Sequence, residues 1–199
     1  MNQPFAPVYR QAIRRLRRLI EQARRAGAQE PTAAALATAD SRGRPSVRTV
    51  LLKVVDGRGI VFYTNLRSRK GKQLTANPRA ALSWFCDALK EQALIEGRVW
   101  QVSETEADAY WATRPRMAKL GAWASRQSQP LKSRKLLETR VATYAVRFAG
   151  HPVPRPPHWS GYRVIPERIE FWSPRAFRLN ERVLYCKNGR RWIRQLLYP

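Results

Sequence analysis

The chain has 199 residues, 44% of them hydrophobic, which is enough for one domain with a core of ordinary size. Its net charge is +24, from 30 arginines and 8 lysines against 14 acidic residues. The sequence contains no apolar run of 18 residues, so it predicts no membrane span, and the N-terminus lacks the apolar stretch of a secretory signal. Two distant cysteines, Cys86 and Cys186, predict buried, reduced thiols rather than a disulfide framework or zinc site. We therefore expect a cytoplasmic protein without a membrane or metal partner.

The positive charge favours anionic partners, which include phosphates, nucleic acids and membrane surfaces. The basic residues are spread along the chain, whereas nucleic-acid-binding proteins more often concentrate them in one arm or stripe. We therefore interpret most of them as a solvated surface and do not expect nucleic acid as the main partner. The candidate patch for such binding is the arginine-rich first helix.

The first half of the chain alternates between short strands and two helices. Apolar residues at helical spacing predict a helix over 8–26, within a basic N-terminal segment that we bound at residues 1–30. A single domain should follow over 31–199. Residues rich in Val, Leu, Ile and aromatics predict strands, with "DGRG" as a hairpin turn, over 33–40, 47–56, 59–65, 79–86 and 92–103. A short helix is expected over 68–76.

The second half begins with Ser103 and Glu106, the spacing of a capping box for a helix that ends at Pro115. Residues 116–131 are mixed in character and predict a loop, and a second helix should cover 132–149. Three short strands follow the proline-rich connector, and the last two are joined by an Asn-Gly turn in "KNGR". At least seven strands without βαβ alternation predict a mostly antiparallel barrel with helices packed outside.

The stretch "YTNLRSRKGKQL" (63–74) places cations at a helix start, where the helix dipole already disfavours them. Hydroxyls of Thr64 and Ser68 with cationic Arg69 and Lys70 suit a phosphate, because backbone N–H groups there also face an anion. A surface helix with ordinary solvated charges explains the stretch equally well when it is considered alone.

Several separate motifs then occur in order: "RTVLLK", "VFYTNLRSRKGKQL", "YWATRPR", "GAWASRQSQ", "VPRPPHWSGYRV", "RIEFW" and "WIRQLLYP". Together they resemble the pyridoxamine 5'-phosphate oxidase family, FMN enzymes of vitamin B6 metabolism, from about residue 30 to Pro199. The resemblance implies a split β-barrel, a Greek-key antiparallel FMN-binding fold that works as a homodimer with FMN at the subunit interface.

The resemblance also implies a set of FMN-binding residues. Arg69 and Lys70 would hold the phosphate, while hydroxyls, amides and the aromatic Trp172 would contact the other flavin groups. The implied set is Arg48, Thr49, Val50, Leu51, Leu52, Lys53, Tyr63, Thr64, Ser68, Arg69, Lys70, Gln92, Gln127, Ser128, Trp172 and Arg182.

On the substrate side, Lys53, Tyr110 and Arg114 match family residues that hold the substrate phosphate. The family's serine at the fourth position is Ala118 here, which removes one charge-assisted hydrogen bond worth roughly 1.5–3 kcal/mol. Arg178 matches a catalytic, substrate-orienting arginine, but Asn180 stands where the family usually has a histidine. If a proton must be passed at Asn180, the rate should fall on the order of 10²–10⁴-fold.

The implied reaction oxidises pyridoxamine or pyridoxine 5'-phosphate to pyridoxal 5'-phosphate by hydride transfer to FMN, with O2 reduced to H2O2. Ala118, Asn180 and the lack of a recognisable basic-aromatic arm near the N-terminus favour an alternative, an FMN oxidase of the same fold acting on a phenazine-type secondary metabolite. A nucleic-acid-binding protein, or a non-catalytic flavin or B6-phosphate carrier, is the hypothesis from another class.

Overall fold

A computed structural model describes residues 7–199, so residues 1–6 of the predicted basic segment lie outside the described part. Five α-helices surround a sheet, and their N-terminal caps follow from local sequence: Ser68, Ser103 and Ser133 each accept a backbone N–H of the first turn. The helices are α1 Pro7–Arg25, α2 Arg69–Ala76, α3 Glu104–Ala112, α4 Arg116–Ala124 and α5 Arg134–Arg147.

Within residues 7–199, nine strands form a single sheet in which every pairing is antiparallel. The main path runs β2-β1-β5-β6-β7-β4-β3, and β8 joins β7 to β9. The strands are β1 Ala33–Ala39, β2 Pro45–Leu51, β3 Val54–Asp56, β4 Gly59–Asn65, β5 Arg79–Cys86, β6 Glu91–Gln101, β7 Trp159–Ser173, β8 Glu181–Asn188 and β9 Arg191–Leu197. The mainly antiparallel architecture with flanking helices is therefore confirmed, and the predicted turns close the β3–β4 and β8–β9 hairpins.

The long strand β7 divides the sheet into two regions. One edge of β7 pairs with β6 along most of its length, while the other pairs with β4 over 159–164 and with β8 over 168–173. The change coincides with a bulge at Gly97, where an added Cβ would lie 2.0 Å from the Ile165 carbonyl oxygen. Only glycine permits this close backbone approach, which bends the sheet between its two regions.

The core lies between α1 and the concave side of the sheet. Seven residues of α1 are buried, from Tyr9 to Ala23 at helical spacing, and they pack against sheet residues such as Phe62, Trp84 and Phe171. The basic helix thus shares its core with the sheet. None of the described helices is long and apolar enough to cross a membrane.

Several local predictions were wrong. Residues 116–131 are not one loop, because Arg116–Ala124 form α4, which buries Leu120 and Ala124. The predicted strand over 47–56 breaks at Leu52, which enters the core while its N–H binds the Thr32 carbonyl. The first of the three C-terminal strands is 15 residues long rather than short. Of the two thiols, Cys86 is buried as predicted, but Cys186 is only half-buried.

Candidate active site

A cavity of about 410 Å³ opens between strands β2 and β4 and helices α2, α3 and α4. Strand β4 ends there, so that its polar last residues point into the cavity beside the start of α2. Small residues of α4 leave the opposite wall open. The lining residues are Thr49, Val50, Leu51, Lys53, Tyr63, Thr64, Asn65, Lys70, Tyr110, Arg114, Ala118, Gly121, Ala122, Ser125, Gln127 and Trp159.

Lys70 forms one end of the cavity and is the buried cation of the opening turn of α2. Its Nζ donates to Thr64 Oγ1 at 3.0 Å, Gln127 Oε1 at 3.0 Å and Ser68 Oγ at 3.3 Å. Within residues 7–199 it forms no ion pair with a carboxylate. Burial, followed by the charge of Arg48, lowers the pKa of Lys70 to about 8. The ammonium of Lys70 is surrounded by neutral oxygens, so an anion bound beside it would stabilise its charged form.

Backbone geometry fixes this end of the cavity. A Cβ on Gly71 would lie 2.1 Å from the Leu66 carbonyl oxygen, so the glycine lets the first turn of α2 pack directly on the preceding loop. Asn65 accepts from the Arg67 N–H at 2.8 Å and donates to the Ser125 carbonyl at 3.5 Å. These contacts position Lys70 and connect the end of β4 to the segment after α4.

Arg48 lies beside this site rather than in the cavity lining. Its guanidinium donates to Thr38 Oγ1 and Ser46 Oγ, each at 2.5 Å, and these hydroxyls also donate to Gln73 Oε1 of α2. Burial and the charge of Arg69 lower the pKa of Arg48. The described carboxylates form no salt bridge with Arg48, so this region of the protein carries uncompensated positive charge.

An aromatic stack forms the wall between the two ends of the cavity. Tyr63 stacks on Tyr110 with ring centroids 4.0 Å apart and on Trp159 at 5.3 Å, with interplanar angles of 10° and 7°. Trp159 meets Trp111 edge-to-face at 4.8 Å, and Trp111 Nε1 donates to the Val153 carbonyl. The stack therefore joins β4, α3 and β7 and gives the cavity a rigid apolar face.

Arg114 forms the second cationic end. Its guanidinium lies over the Trp159 ring, 4.9 Å from the centroid, and Nη2 donates to the Ala118 carbonyl at 3.1 Å. The buried Nε has no hydrogen-bond partner among the described residues. Burial lowers the pKa of Arg114, and the neighbouring Tyr110 opposes that shift. Tyr110, Arg114 and Ala118, which the resemblance assigned to the substrate phosphate, thus meet in one cavity.

The other predicted site residues do not line this cavity. Leu52 belongs to the core, Ser68 is the buried cap of α2, Arg69 is exposed, and exposed Ser128 has a positive φ of 70°.

Five more residues predicted for the site lie at the far end of β6, β7 and β8. In the sheet register, Gln92 pairs with Trp172 and Trp172 pairs with Arg182. The nearby turn holds Phe177 and Arg178 in left-handed conformations, with φ of 56° and 62°, and the Asn180 side chain accepts the Arg175 N–H at 3.3 Å.

Arg182 in this second group is tied to a buried acid. Glu170 is 3% exposed and accepts from Arg182 Nε at 2.7 Å and Arg168 Nη2 at 2.8 Å. Burial alone would raise the pKa of Glu170, but the two arginines hold it below its ordinary value. Arg182 therefore lies in a compensated ion-pair network, unlike Lys70 and Arg114.

The cavity residues suit phosphorylated ligands. Lys70 is a buried cation that pairs with no described carboxylate, and Arg114 has a buried N–H without a partner among the described residues. Each end can therefore donate hydrogen bonds to the oxygens of an anion. Between them lies an aromatic wall suited to a flat ring system. An FMN molecule has this combination of a phosphate, a polar chain and a planar ring.

Comparison with known proteins decides the family. Residues 20–148 match the family described as pyridoxamine 5'-phosphate oxidase, and residues 159–199 match the pyridoxine 5'-phosphate oxidase C-terminal dimerisation region. A pyridoxine/pyridoxamine 5'-phosphate oxidase of Rubrobacter xylanophilus is 56% identical over 187 residues, which cover 94% of this chain and 86% of that protein. The chain belongs to the pyridoxamine 5'-phosphate oxidase family.

Two solved structures support the fold. PhzG from Burkholderia lata 383, in complex with tetrahydrophenazine-1-carboxylic acid, has a TM-score of 0.90 and 34% identity, covering 100% of this chain and 95% of that one. A pyridoxamine 5'-phosphate oxidase-related protein of Nostoc punctiforme has a TM-score of 0.70 and 21% identity, with both chains fully covered.

Membership in the pyridoxamine 5'-phosphate oxidase family confirms several predictions. The protein is an FMN-dependent oxidase with a split-barrel fold. The match to a dimerisation region supports a homodimer.

Sequence reasoning did not single out five residues that line the cavity. Trp159 lies within a quoted motif, but its stacking depends on the register between β4 and β7, which pairs Asn65 with Trp159. Gly121, Ala122 and Ser125 follow from α4, whose helical form was not predicted. The only sequence signal for Asn65 is its position at a strand end.

Proposed function

We propose that this protein oxidises pyridoxamine 5'-phosphate or pyridoxine 5'-phosphate to pyridoxal 5'-phosphate with FMN as cofactor. The observation that carries the proposal is a single cavity with an uncompensated cation at each end, Lys70 and Arg114, and an aromatic wall between them. Two phosphate sites separated by a flat surface suit a phosphorylated cofactor and a phosphorylated substrate.

The cofactor end is the Lys70 end. Lys70, Thr64 and Gln127 already form one hydrogen-bonded group, and the positive charges of Arg48 and Arg69 lie nearby. A phosphate dianion here would replace neutral oxygens around Lys70 and raise the pKa that burial has lowered. We assign Thr49, Val50 and Leu51 to the adjoining flavin wall, because they line the same cavity.

The substrate end is the Arg114 end. Arg114 and Tyr110 would bind the substrate phosphate, with Lys53 supplying a further charge at the cavity wall. The stacking of Arg114 on Trp159 fixes the plane of the guanidinium, which lowers the entropy cost of a two-point phosphate contact. Ala118 offers no hydroxyl at this end, so the phosphate loses one donor.

The second copy of the chain completes the site in this proposal. Gln92, Trp172 and Arg182 line one patch of the sheet outside the cavity, and Arg178 lies on the strained turn beside it. Across a dimer interface these residues would close the cavity and exclude water. Asn180 would act by positioning, since its side chain accepts a backbone N–H within the turn that carries Arg178.

When bound, FMN would supply the acceptor for a hydride from the substrate carbon bearing the amine or hydroxyl, with O2 as the final electron acceptor giving H2O2. For the amine substrate, water would then hydrolyse the resulting imine to the aldehyde, and ammonia would leave. The protein's residues contribute binding and orientation: two anchored phosphates set the distance between reacting atoms. Arg178 would orient the substrate over the ring.

An absorption spectrum of the purified protein, followed by anaerobic addition of pyridoxamine 5'-phosphate, tests this function. We expect a yellow protein whose flavin band bleaches with the phosphorylated amine and far less with unphosphorylated pyridoxamine at the same concentration. A yellow protein that neither pyridoxamine 5'-phosphate nor pyridoxine 5'-phosphate reduces would reject the proposal.

The second candidate is oxidation of a phenazine-type metabolite. Ala118 and Asn180 favour it, because both weaken the expected handling of a phosphorylated substrate, and PhzG resembles the chain over its full length. The 56% identity to a protein named for the B6 reaction favours the first function. If Asn180→His raises turnover of pyridoxamine 5'-phosphate about 100-fold or more, the natural substrate is a different one.

A further inference from the structure

A second concave surface lies beside the cavity, between α1 and the β2–β3 segment. This groove has a volume of about 660 Å³, larger than the 410 Å³ of the cavity. Its residues are Arg14, Arg17, Arg18, Ile20, Glu21, Arg24, Thr32, Leu52, Lys53 and Val55. We call it the arginine groove.

The arginine groove has a strong excess of positive charge. Arg14, Arg17 and Arg18 are exposed on one stripe of α1, and no salt bridge with a described carboxylate neutralises them. Glu21 is the one acid in the lining, and it is already paired with Arg24 and Arg25. The groove therefore has four unneutralised cations, three guanidiniums and the ammonium of Lys53.

The fold makes this arrangement rigid on both sides. The opposite stripe of α1, including Ala12 and Leu16, is buried in the core. Across the groove, the Leu52 N–H binds the Thr32 carbonyl and the Lys53 N–H binds the Val61 carbonyl, each at 2.8 Å. The cations therefore project from two fixed backbones rather than from a mobile arm.

We propose that the arginine groove binds a small multivalent phosphate anion, of the tripolyphosphate or nucleoside-triphosphate class. A single phosphate monoester would neutralise at most half of the four free charges, whereas a chain of phosphates can contact several guanidiniums at once. The volume of the groove also exceeds the needs of one phosphate.

Lys53 links the arginine groove to substrate binding, and this part of the inference depends on the proposed function. The residue lines both the arginine groove and the cavity, where we assign it to the substrate phosphate. An anion in the groove draws the Lys53 ammonium away from the cavity. Occupancy therefore weakens substrate binding, and bound substrate weakens occupancy by the same factor.

The binding test uses sodium tripolyphosphate and FMN-loaded full-length protein in calorimetric titrations at fixed ionic strength. The groove variant carries Arg14→Gln, Arg17→Gln and Arg18→Gln. A matched control, Arg42→Gln with Lys132→Gln and Lys135→Gln, removes the same charge from exposed positions elsewhere. We expect affinity about tenfold or more weaker in the groove variant, with the control close to the parent protein.

Several outcomes would overturn the proposal. Equal weakening in both variants would mean diffuse attraction by the net charge, and no weakening in either would place the anion elsewhere or show no binding. A short DNA duplex that binds more tightly than tripolyphosphate, and is lost in the groove variant, would assign the groove to nucleic acid instead. Melting temperatures of both variants verify that they fold.

Steady-state kinetics with tripolyphosphate test the anion site separately from the proposed oxidase function. Tripolyphosphate should raise KM for pyridoxamine 5'-phosphate without changing kcat in the parent and control proteins, and have little effect in the groove variant. An equal rise in the groove variant would place the inhibitor in the cavity and refute the linkage. Binding without any turnover would refute the proposed function and leave the anion site standing.

Discussion

The two halves of β7 lie in different surroundings, the first among buried groups and the second beside exposed apolar residues. Its first half, paired with β4, carries Trp159 into the aromatic stack and places the buried Arg163 in ion pairs with Asp56 and Glu106. Its second half, paired with β8, supports Arg182 and leads to a turn where Phe177 is 93% exposed. Leu196 on β9 is 66% exposed, and Tyr198, which follows β9, is 93% exposed.

This difference shows which part of the site one chain can build alone. The cavity region assembles its aromatic stack and both of its cationic ends within one chain. The C-terminal region exposes large apolar groups and strains its backbone at Phe177 and Arg178, which costs roughly 1–3 kcal/mol per residue. Both features are explained if a second copy covers this region.

The largest expected effect comes from breaking the C-terminal region. Leu196→Asp should yield a monomer that keeps its secondary structure but loses turnover by at least about 100-fold, since an unpaired buried charge costs several kcal/mol. Light scattering and steady-state assays measure both properties. Leu136→Asp, on the outer helix α5, is the control. An active dimer of Leu196→Asp would remove the reason for assigning this region to the interface.

Arg114→Gln tests the cavity region. The substitution removes charge-assisted hydrogen bonds worth about 1.5–3 kcal/mol each, so kcat/KM for pyridoxamine 5'-phosphate should fall about 100-fold. The unphosphorylated amine serves as the internal control, and its already low kcat/KM should change little. An equal loss for both amines would show that Arg114 supports the fold rather than the phosphate.

Ala118→Ser should have a smaller effect in the opposite direction. The added hydroxyl restores a donor at the phosphate end of the cavity, and KM for the phosphorylated substrate should drop by about tenfold. Ala112→Ser, on the exposed last turn of α3, is the matched variant. An unchanged KM would mean that residue 118 does not face the substrate phosphate.

The smallest effect is a pH dependence of FMN binding. The pKa of Lys70 is about 8 without the phosphate, and an anion beside it raises that pKa, so binding takes up a proton above pH 8. The FMN dissociation constant should then rise about fivefold between pH 8 and pH 9. In Lys70→Met the same titration should be nearly flat over this range. A parent protein with a flat profile would contradict this assignment of Lys70.

The sequence predicted local structure well where local chemistry decides it. The Asn-Gly turn and the Ser103 cap depend on neighbouring residues alone, and each appears where expected. Helix α4 was missed because its stability comes from distant contacts: Leu120 is buried, and Trp123 Nε1 donates to the Pro154 carbonyl. The Glu106 side chain was expected to cap α3 but pairs with Arg163 instead, which is also a contact between residues distant in sequence.

The same distinction applies to the site. The motif in 63–74 indicated an anion and singled out Arg69 and Lys70 among its four cations. The docking of α2 at Gly71 buries Lys70 and leaves Arg67, Arg69 and Lys72 exposed. Likewise, the resemblance predicted Arg178 and Asn180 as site residues, and only the topology shows that they lie beyond the cavity of their own chain.

The most direct test of the two-phosphate cavity compares FMN with riboflavin, which lacks the phosphate, by fluorescence titration of apoprotein. The parent and the exposed-lysine control Lys72→Met should bind FMN far more tightly than riboflavin. Lys70→Met should lose most of that preference while its riboflavin affinity stays the same. If Lys70→Met weakens both ligands equally, or neither, the phosphate is not held at Lys70 and the account of the cavity fails.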